Sequence, residues 1–267
     1  MSRISALFIS LFWFLLLSNA NAQLVWQKHT DNPIISPSRY YGISGTFDVS
    51  WAWMPMVMFD NGLYKMWYVG YTGQWNIGYA ISEDGITWCQ YLRSPVLRPG
   101  PPGGFDDGYV WGGTVLRIGT QYRMYYGANS NGRWSVGLAK SEDGIRWSKY
   151  QAPVLTAGPA GSWDQDGPSA PCVMRDSSGQ FVVWYSGNRQ PTTALGYATS
   201  LDGITWTKYS GNPILTANSS NQWESYLVTD SRIVKVGSTY HMFYHGAPGP
   251  YGYQIGYNPS ANDPDYL

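Results

Sequence analysis

Short apolar and aromatic runs recur along the chain, and polar turns that contain glycine separate them. One aromatic run occupies residues 64–68, with the sequence Tyr-Lys-Met-Trp-Tyr, and related runs occupy residues 122–126, 181–185 and 240–244. Each follows another mainly apolar run and a tight turn; these earlier runs occupy residues 56–59, 114–118, 172–175 and 232–236. Runs of this length, bounded by turn residues, predict β-hairpins. A segment of the Ile-Gly-Tyr-Ala type follows each hairpin and predicts a third strand.

A longer phrase sets the period of this pattern. It reads Ser-Glu-Asp-Gly-Ile-Thr-Trp at residues 82–88 and returns at residues 141–147 and 200–206, so Trp88, Trp147 and Trp206 are spaced at intervals of 59 residues. The segment around the tryptophan predicts a fourth strand. Copies of this length, each built from four short strands, predict an all-β propeller. We count four copies, and therefore four blades of four strands.

The fourth copy ends after Ile255-Gly256-Tyr257, before the phrase with the tryptophan. The missing piece has a match at the other end of the chain: Trp-Gln-Lys and Asn-Pro-Ile-Ile within residues 26–35 resemble Trp-Thr-Lys and Asn-Pro-Ile-Leu within residues 206–215. We therefore expect the N-terminal strand to complete the last blade. This arrangement closes the ring and removes an exposed strand edge.

Residues 1–22 have the pattern of a secretory signal peptide. Arg3 precedes an apolar run that extends from Ile4 to Leu17, and the following Ala-Asn-Ala at residues 20–22 fits a cleavage site. A membrane anchor is the alternative, but the apolar run is short for a membrane span. The sequence thus predicts a secreted protein, extracellular or periplasmic, with a single propeller domain over residues 23–267.

The charge, the cysteines and the histidines indicate which partners and cofactors to expect. The chain has 17 basic and 17 acidic residues, which gives no indication of a nucleic-acid or membrane partner. Cys89 and Cys172 lie at different positions of the repeat, so we expect no disulfide between them. The three histidines, His29, His241 and His245, lack the spacing of a metal site, and no cofactor is expected. We expect a monomer.

Aromatic side chains indicate a carbohydrate ligand. The chain has 14 Trp and 22 Tyr. Most of them belong to the core, because strands favour aromatic residues, but the surplus suits stacking on the flat C–H faces of sugars. The loops between blades and those between second and third strands share one face of a propeller, and there they differ from blade to blade. The candidate sugar-binding residues on this face are Trp53, Trp75, Trp111, Trp134, Arg189, Glu224 and His245.

Acidic residues that repeat in every blade point to blade construction. The aspartate of each Asp-Gly turn is predicted to accept hydrogen bonds from its own backbone. A second repeated column is expected to accept N–H groups within the inter-blade loops. That column consists of Asp48, Asp106, Asp164 and Glu224.

Acidic residues without a counterpart in the other blades are the better catalytic candidates, because an active site needs unlike groups that converge once. These residues are Asp107, Asp166 and Asp230. Solvated loop carboxylates are the alternative interpretation of the same residues.

The repeat resembles the β-propeller glycosidases of the arabinanase, levansucrase and invertase group, which includes glycoside hydrolase families 43, 32 and 130. The pattern Gly-Ser-Trp-Asp, Tyr-x-Met-x-Tyr, Ile-Gly-Tyr-Ala-x-Ser-x-Asp-Gly-Ile-x-Trp and Asn-Pro-Ile-Leu carries the resemblance over the mature chain. The group normally has five blades and three carboxylates on inner strands. Asp166-Gly167-Pro168 resembles its Glu-Gly-Pro motif, and Asp230 occupies the repeat position of Met54. The first two blades have no acid at the matching positions.

Two functions fit these observations. The first is a secreted glycosidase that acts on a plant, algal or microbial polysaccharide or oligosaccharide, with Asp166 as the acid and Asp230 or Asp107 as the base. The second is a non-catalytic, lectin-like propeller, which the incomplete set of carboxylates favours. A protein-interaction scaffold has no support beyond the fold.

Overall fold

A computed structural model describes residues 28–37 and 46–259, and within them the chain forms four antiparallel sheets. The first contains β1 (Trp51–Asp60), β2 (Leu63–Tyr71), β3 (Trp75–Ser82) and β4 (Cys89–Gln90). The second contains β5 (Tyr109–Ile118), β6 (Gln121–Ser130), β7 (Arg133–Ser141) and β8 (Ser148–Lys149). The third contains β9 (Gly167–Arg175), β10 (Phe181–Arg189), β11 (Thr192–Ser200) and β12 (Thr207–Lys208). A 3-10 turn (Gln222–Glu224) precedes the fourth, which contains β13 (Leu227–Val236), β14 (Thr239–Ala247) and β15 (Gln254–Pro259).

The sheets are the blades of a propeller. Strands follow chain order within each sheet, and the first strands of successive blades contact one another, from β1 to β5, β9 and β13. The four-bladed all-β propeller predicted from the repeat is therefore confirmed. Within the described residues no helix has the length and apolarity needed to cross a membrane.

Two predictions concern residues outside the described ranges. The signal peptide over residues 1–22 lies there, and so do Trp26 and Gln27 of the strand expected to close the ring. Residues 28–32 belong to a compact unit that ends at Asn32, whereas the propeller belongs to the unit that starts at Pro33. The closing strand thus stays a prediction, and the fourth sheet has three strands among the described residues.

The first strand of each blade begins earlier than the sequence predicts. Residues expected in loops lie within β1, β5 and β13; they are Trp51, Trp53, Tyr109, Trp111 and Asp230. The reason is a β-bulge in each of these strands, at which the pairing with the second strand shifts register. A bulge interrupts the alternation of inward and outward side chains, so the pattern does not read as one continuous strand. The bulge places Met54, Ala170 and Asp230 at φ values of 50°, 48° and 52°.

Aromatic side chains of the second and third strands fill the interfaces between successive blades. Trp67 and Ile77 of the first blade are fully buried and lie in one cluster with Met124 of the second. The indole Nε1 of Trp67 donates to the carbonyl oxygen of Gly144 at 2.7 Å, which ties β2 to the Asp-Gly turn of the next blade. Burial of one such side chain contributes about 1.5–3 kcal/mol.

The Asp-Gly turns have the structural role that the repeat predicts. Asp84, Asp143 and Asp202 each accept the backbone N–H groups of the residues two and three positions later, at 2.7 to 2.9 Å. The bonds from Thr205 and then Ile204 lower the pKa of Asp202 to about 2.

The repeated column of Asp48, Asp106, Asp164 and Glu224 is also structural. All four side chains are buried, and each accepts the hydroxyl of a second-strand tyrosine of its own blade at 2.8 to 3.4 Å. Asp106 and Asp164 also pair with Lys149 and Lys208 of the outer strands. A buried tyrosine hydroxyl needs an acceptor, which explains why the acid recurs in every blade.

Asp60 joins the first two blades at the far face of the propeller. It accepts hydrogen bonds from Lys65 at 2.6 Å and from Arg117 and Tyr122 of the second blade. The bond from Lys65, followed by that from Tyr122, lowers the pKa of Asp60 to about 2.

The two cysteines are free thiols, as the sequence predicts. Cys89 is exposed, whereas Cys172 is buried and its Sγ accepts the backbone N–H of Ile233 at 3.4 Å. Burial raises the pKa of the Cys172 thiol.

Candidate functional site

A cavity of about 420 Å³ lies at the face where the inner strands begin, and we call it the funnel. All four blades contribute to it. Its lining residues are Trp53, Trp111, Trp134, Ser169, Asn188, Gln190, Pro191, Thr193, Tyr226, Leu227, Thr229, Asp230, His245, Pro250 and Tyr253. Aromatic walls with a few polar groups are typical of small-ligand sites.

Asp230 projects into the funnel from the bulge of β13. Its φ of 52° is unusual for a residue other than glycine, although aspartate tolerates this region better than most residues. Ser186 of the third blade holds the bulge in place: its Oγ accepts the backbone N–H of Asp230 at 2.9 Å and the Thr229 hydroxyl at 3.1 Å. Because Ser186 is fully buried, the position of the Asp230 backbone is fixed by the adjacent blade.

The imidazole of His245 lies beside the carboxylate of Asp230. Its Nδ1 lies 3.5 Å from the Asp230 Oδ2, and the carboxylate is about 20% exposed. The ring of Tyr253 meets the imidazole edge-on, with centroids 6.1 Å apart. Burial, and then the negative charge of Asp230, raise the pKa of Tyr253. The carboxylate, imidazole and phenol thus form one polar group on the fourth blade.

The opposite side of the funnel is a wall of tryptophans from the first two blades. Trp111 is central: its ring centroid lies 5.3 Å from Trp53, 4.7 Å from Trp75 and 6.3 Å from Trp134. Three of these four predicted sugar-binding residues line the funnel, and the fourth, Trp75, contacts the ring of Trp111. Edge-on contacts of this kind hold each ring in a defined orientation.

Asp166 lies at the rim and connects two loops of the funnel. Its Oδ2 accepts the backbone N–H of Gln190 at 2.8 Å, and its carbonyl oxygen accepts the backbone N–H of Trp134 at 2.7 Å. Asp166 is not among the lining residues, but two of its partners, Gln190 and Trp134, are.

The remaining predicted site residues lie away from the funnel lining. Asp107 accepts the backbone N–H of Gly103 at 2.8 Å, and a hydrogen bond from Ser130, followed by that from Gly103, lowers its pKa. Glu224 is buried against Tyr244 in the structural column. Arg189 is exposed at the end of β10, next to Gln190, which does line the funnel. The structure therefore brings Asp230 and His245 together with the tryptophans, but not with these three residues.

Sequence reasoning missed the polar lining from the third blade. Asn188 is buried, and its Nδ2 donates to the Gly167 carbonyl oxygen at 2.8 Å and to the Ser169 Oγ at 3.0 Å. Thr193 lines the cavity beside them. These residues occupy ordinary strand positions, so nothing in the sequence distinguishes them from residues that build the blade. Among the described residues no group of three His, Cys, Asp or Glu side chains is placed to hold a metal ion.

No protein-family model matches the chain. Two proteins of Mycobacterium tuberculosis, both named as uncharacterized, are 30% and 31% identical to it over 176 residues, which is 62% of this chain and 55% of each relative. The chain thus spans about half the length of the curated relatives it matches.

Several solved structures with a similar fold are glycoside hydrolases. A thermostable family-43 glycoside hydrolase is 18% identical with a TM-score of 0.62, covering 78% of this chain and 68% of that one. Fructan 1-exohydrolase IIa from Cichorium intybus is 19% identical with a TM-score of 0.60, covering 84% and 44%. A family 117 glycoside hydrolase from the marine bacterium Zobellia galactanivorans is 20% identical with a TM-score of 0.57, covering 76% and 68%. The resemblance to the propeller glycoside hydrolases is therefore confirmed in the fold.

Proposed function

We propose that the chain is a secreted glycoside hydrolase that binds sugar in the funnel and uses Asp230 at the bond that is cleaved. The position of Asp230 carries the proposal. Its counterparts at the bulge are Met54, Gly112 and Ala170, so only the fourth blade places an ionisable side chain there. The glycoside hydrolases among the structural neighbours support the same class of reaction. Secretion is proposed from the pattern of residues 1–22.

Hydrolysis of a glycosidic bond needs one group that activates water or attacks the anomeric carbon, and another that protonates the leaving oxygen. We assign the first role to Asp230, because it faces the cavity and His245 at 3.5 Å can hold its carboxylate in place. Asp166 is the candidate for the second role. As the water oxygen bonds to the anomeric carbon, its proton passes to Asp230, the C–O bond breaks, and the leaving oxygen takes a proton from Asp166.

A non-catalytic sugar-binding propeller is the second candidate. The observation that favours it is the number of acids: Asp230 is the only carboxylate among the described residues that line the funnel. Glycoside hydrolases ordinarily use two. A binding protein would need only the tryptophan wall and the polar groups opposite it.

Product analysis separates the two functions. The purified mature protein is incubated with a panel of plant, algal and microbial polysaccharides, beside Asp230→Asn, Asp166→Asn and the control Glu142→Gln, whose side chain is exposed in the turn at residues 141–147. We expect the wild type and the control to release reducing ends, and Asp230→Asn to be slower by at least about 100-fold.

Two other results would change the proposal. No release by the wild type, with retention of both the wild type and Asp230→Asn on one immobilised glycan, would replace the hydrolase by the binding protein. Full activity of Asp166→Asn would remove Asp166 from the acid role and leave the role of Asp230 in place.

A further inference from the structure

We propose that Asn188 and Ser169 of the third blade recognise one hydroxyl group of the bound sugar, and that this contact determines which sugars the site accepts. This inference rests on the proposed function, because it concerns the sugar that binds in the funnel. Asn188 accepts the hydrogen of that hydroxyl group, and Ser169 donates to its oxygen.

The funnel has an aromatic half and a polar half because one repeat position holds different residues in different blades. In each first strand this position pairs with the residue that follows the buried tyrosine of the second strand. The four residues at this position all line the funnel; they are Trp53, Trp111, Ser169 and Thr229. A sugar ring that stacks on the two tryptophans therefore meets hydroxyl-bearing side chains across the funnel.

Contacts within the third blade fix the orientation of the Asn188 amide. Its Nδ2 donates to the Gly167 carbonyl oxygen at 2.8 Å and to the Ser169 Oγ at 3.0 Å. A carbonyl oxygen can only accept, so the amide nitrogen has to face Gly167 and the amide oxygen has to face the other way. The side chain is buried, which leaves it little room to rotate. No described residue donates a hydrogen bond to the Asn188 Oδ1.

The second blade shows what this oxygen does where it has a structural role. Asn129 occupies the repeat position of Asn188, and its Oδ1 accepts the backbone N–H of Gly132 at 3.3 Å in the turn that follows. The counterpart of Gly132 is Pro191, which has no N–H to donate. The oxygen of Asn188 is thus not used by its turn. Asn188 lines the funnel, whereas Asn129 is not among the lining residues.

Ser169 supplies the matching donor. Its Oγ accepts the hydrogen bond from Asn188, and among the described residues its own hydroxyl hydrogen has no acceptor. The two threonines of this wall differ, because Thr193 and Thr229 donate their hydroxyl hydrogens to atoms of the adjacent blade at 2.8 and 3.1 Å. Asn188 and Ser169 therefore offer one acceptor and one donor side by side. A single sugar hydroxyl satisfies both, since a hydroxyl group donates one hydrogen bond and accepts others.

The recognised hydroxyl belongs to the sugar unit at Asp230. Ser169 pairs with Ser186 between β9 and β10, and the Ser186 Oγ accepts the backbone N–H of Asp230 at 2.9 Å. A sugar without this hydroxyl leaves an acceptor and a donor of the funnel wall without partners. The expected loss of affinity is about 5- to 100-fold, because buried polar groups without partners are costly.

The test measures the affinity of small sugars by NMR titration, which does not depend on hydrolysis. The probes are the methyl glycosides of glucose, galactose, mannose, xylose and arabinose, followed by the monodeoxy derivatives of the glycoside that binds best. We expect one monodeoxy derivative to bind the wild type about 5- to 100-fold more weakly than its parent. In Asn188→Ala the parent and this derivative should bind equally, because the acceptor that distinguishes them is absent.

Two further variants make the test specific. Ser169→Ala removes the donor but keeps the bond from Asn188 to Gly167, so it tests the pair even where Asn188→Ala does not fold, and it should reduce the difference between parent and derivative. Asn129→Ala is the matched control, because it removes the counterpart that binds the turn, and it should keep the full difference.

Each result has one consequence. An undiminished difference in both Asn188→Ala and Ser169→Ala, or equal binding of all monodeoxy derivatives to the wild type, would overturn the inference while sugar binding in the funnel stands. The expected pattern of affinities, without release of reducing ends from any polysaccharide, would support the inference and overturn the hydrolase function. Binding of none of the glycosides would overturn the inference, and product analysis would then decide the hydrolase function by itself.

Discussion

Gly167 is the position where one added methyl group most directly tests how the site is built. The residue follows Asp166, its φ is 101°, and a Cβ placed on it would lie 1.7 Å from the carbonyl oxygen of Trp134. Real Cβ contacts under 3.0 Å are essentially absent from proteins, so the two backbone segments would have to separate by about 1.3 Å (3.0 − 1.7). Gly62 is the matched control, because its φ is 80° and a Cβ there would meet nothing within 4 Å.

The difference between the two substitutions isolates the cost of the contact. A left-handed backbone costs an L-residue about 1–2 kcal/mol, and both Gly167→Ala and Gly62→Ala carry this cost. Gly167→Ala also carries overpacking against a backbone, which adds about 1–3 kcal/mol. In a domain of this size, 1 kcal/mol shifts Tm by about 2–4 °C. We therefore expect Gly167→Ala to melt about 2–12 °C below Gly62→Ala.

Thermal unfolding of both variants beside the wild type measures this difference. Sugar affinity provides a second measurement, because movement of the Trp134 backbone displaces part of the funnel wall. Gly167→Ala should weaken sugar binding, and Gly62→Ala should not. Equal melting temperatures for the two variants would refute the close approach of Gly167 to Trp134. Unchanged binding in a destabilised Gly167→Ala would refute the link between this contact and the site.

Three further predictions concern the tryptophan wall, Asp60 and the two cysteines. Trp53→Ala should weaken sugar affinity by about 2- to 10-fold in calorimetric titration. The control Trp51→Ala, which removes an exposed tryptophan outside the funnel, should leave the affinity unchanged. The pKa of Asp60 is lowered from 3.8 to about 2, so its contribution to stability is full above pH 3.8 and is lost as the pH falls through 2. Melting temperatures between pH 5 and pH 1 should therefore fall less steeply for Asp60→Asn than for the wild type, and parallel curves would contradict this assignment. A thiol reagent should modify Cys89 rapidly and Cys172 only on unfolding, because burial raises the pKa of that thiol and hides it; two fast thiols in the native protein would show the burial to be wrong.

The fold was predictable from the sequence because its physical causes repeat. The Asp-Gly turn is the clearest case: aspartate and glycine recur with the same spacing, and the same backbone N–H groups bind the carboxylate in three blades. A local interaction of this kind depends only on neighbouring residues, so the sequence contains all that is needed to predict it. The column of buried acids was predicted less completely, because the tyrosines that bind it lie about 20 residues away in each blade.

The acidic part of the site was predictable where it departs from the repeat. Asp230 and His245 differ from their counterparts, whereas Trp53 and Trp111 occupy the same repeat position in the first two blades. The structure brings all four side chains to the funnel. Asp107 differs as well, yet its carboxylate binds a loop amide outside the funnel. Asn188 lines the funnel although nothing in the sequence separates it from a structural residue. A residue that differs from its counterparts in the other blades is thus not required to build the blade. The bulges and the loop ends determine whether its side chain faces the axis.

The bulge explains how a nearly symmetric scaffold supports one asymmetric centre. Every blade interrupts its first strand at the same repeat position, and an interruption there re-aims one side chain toward the axis. Three blades have methionine, glycine or alanine at that position, so the interruption alone places no ionisable group there. The fourth uses aspartate at a φ of 52°, and the third blade holds that backbone through Ser186. Backbone strain of this kind persists only where surrounding contacts fix it. Replacing Ser186 by alanine should therefore loosen Asp230 without touching the sugar, lowering kcat more than it raises KM.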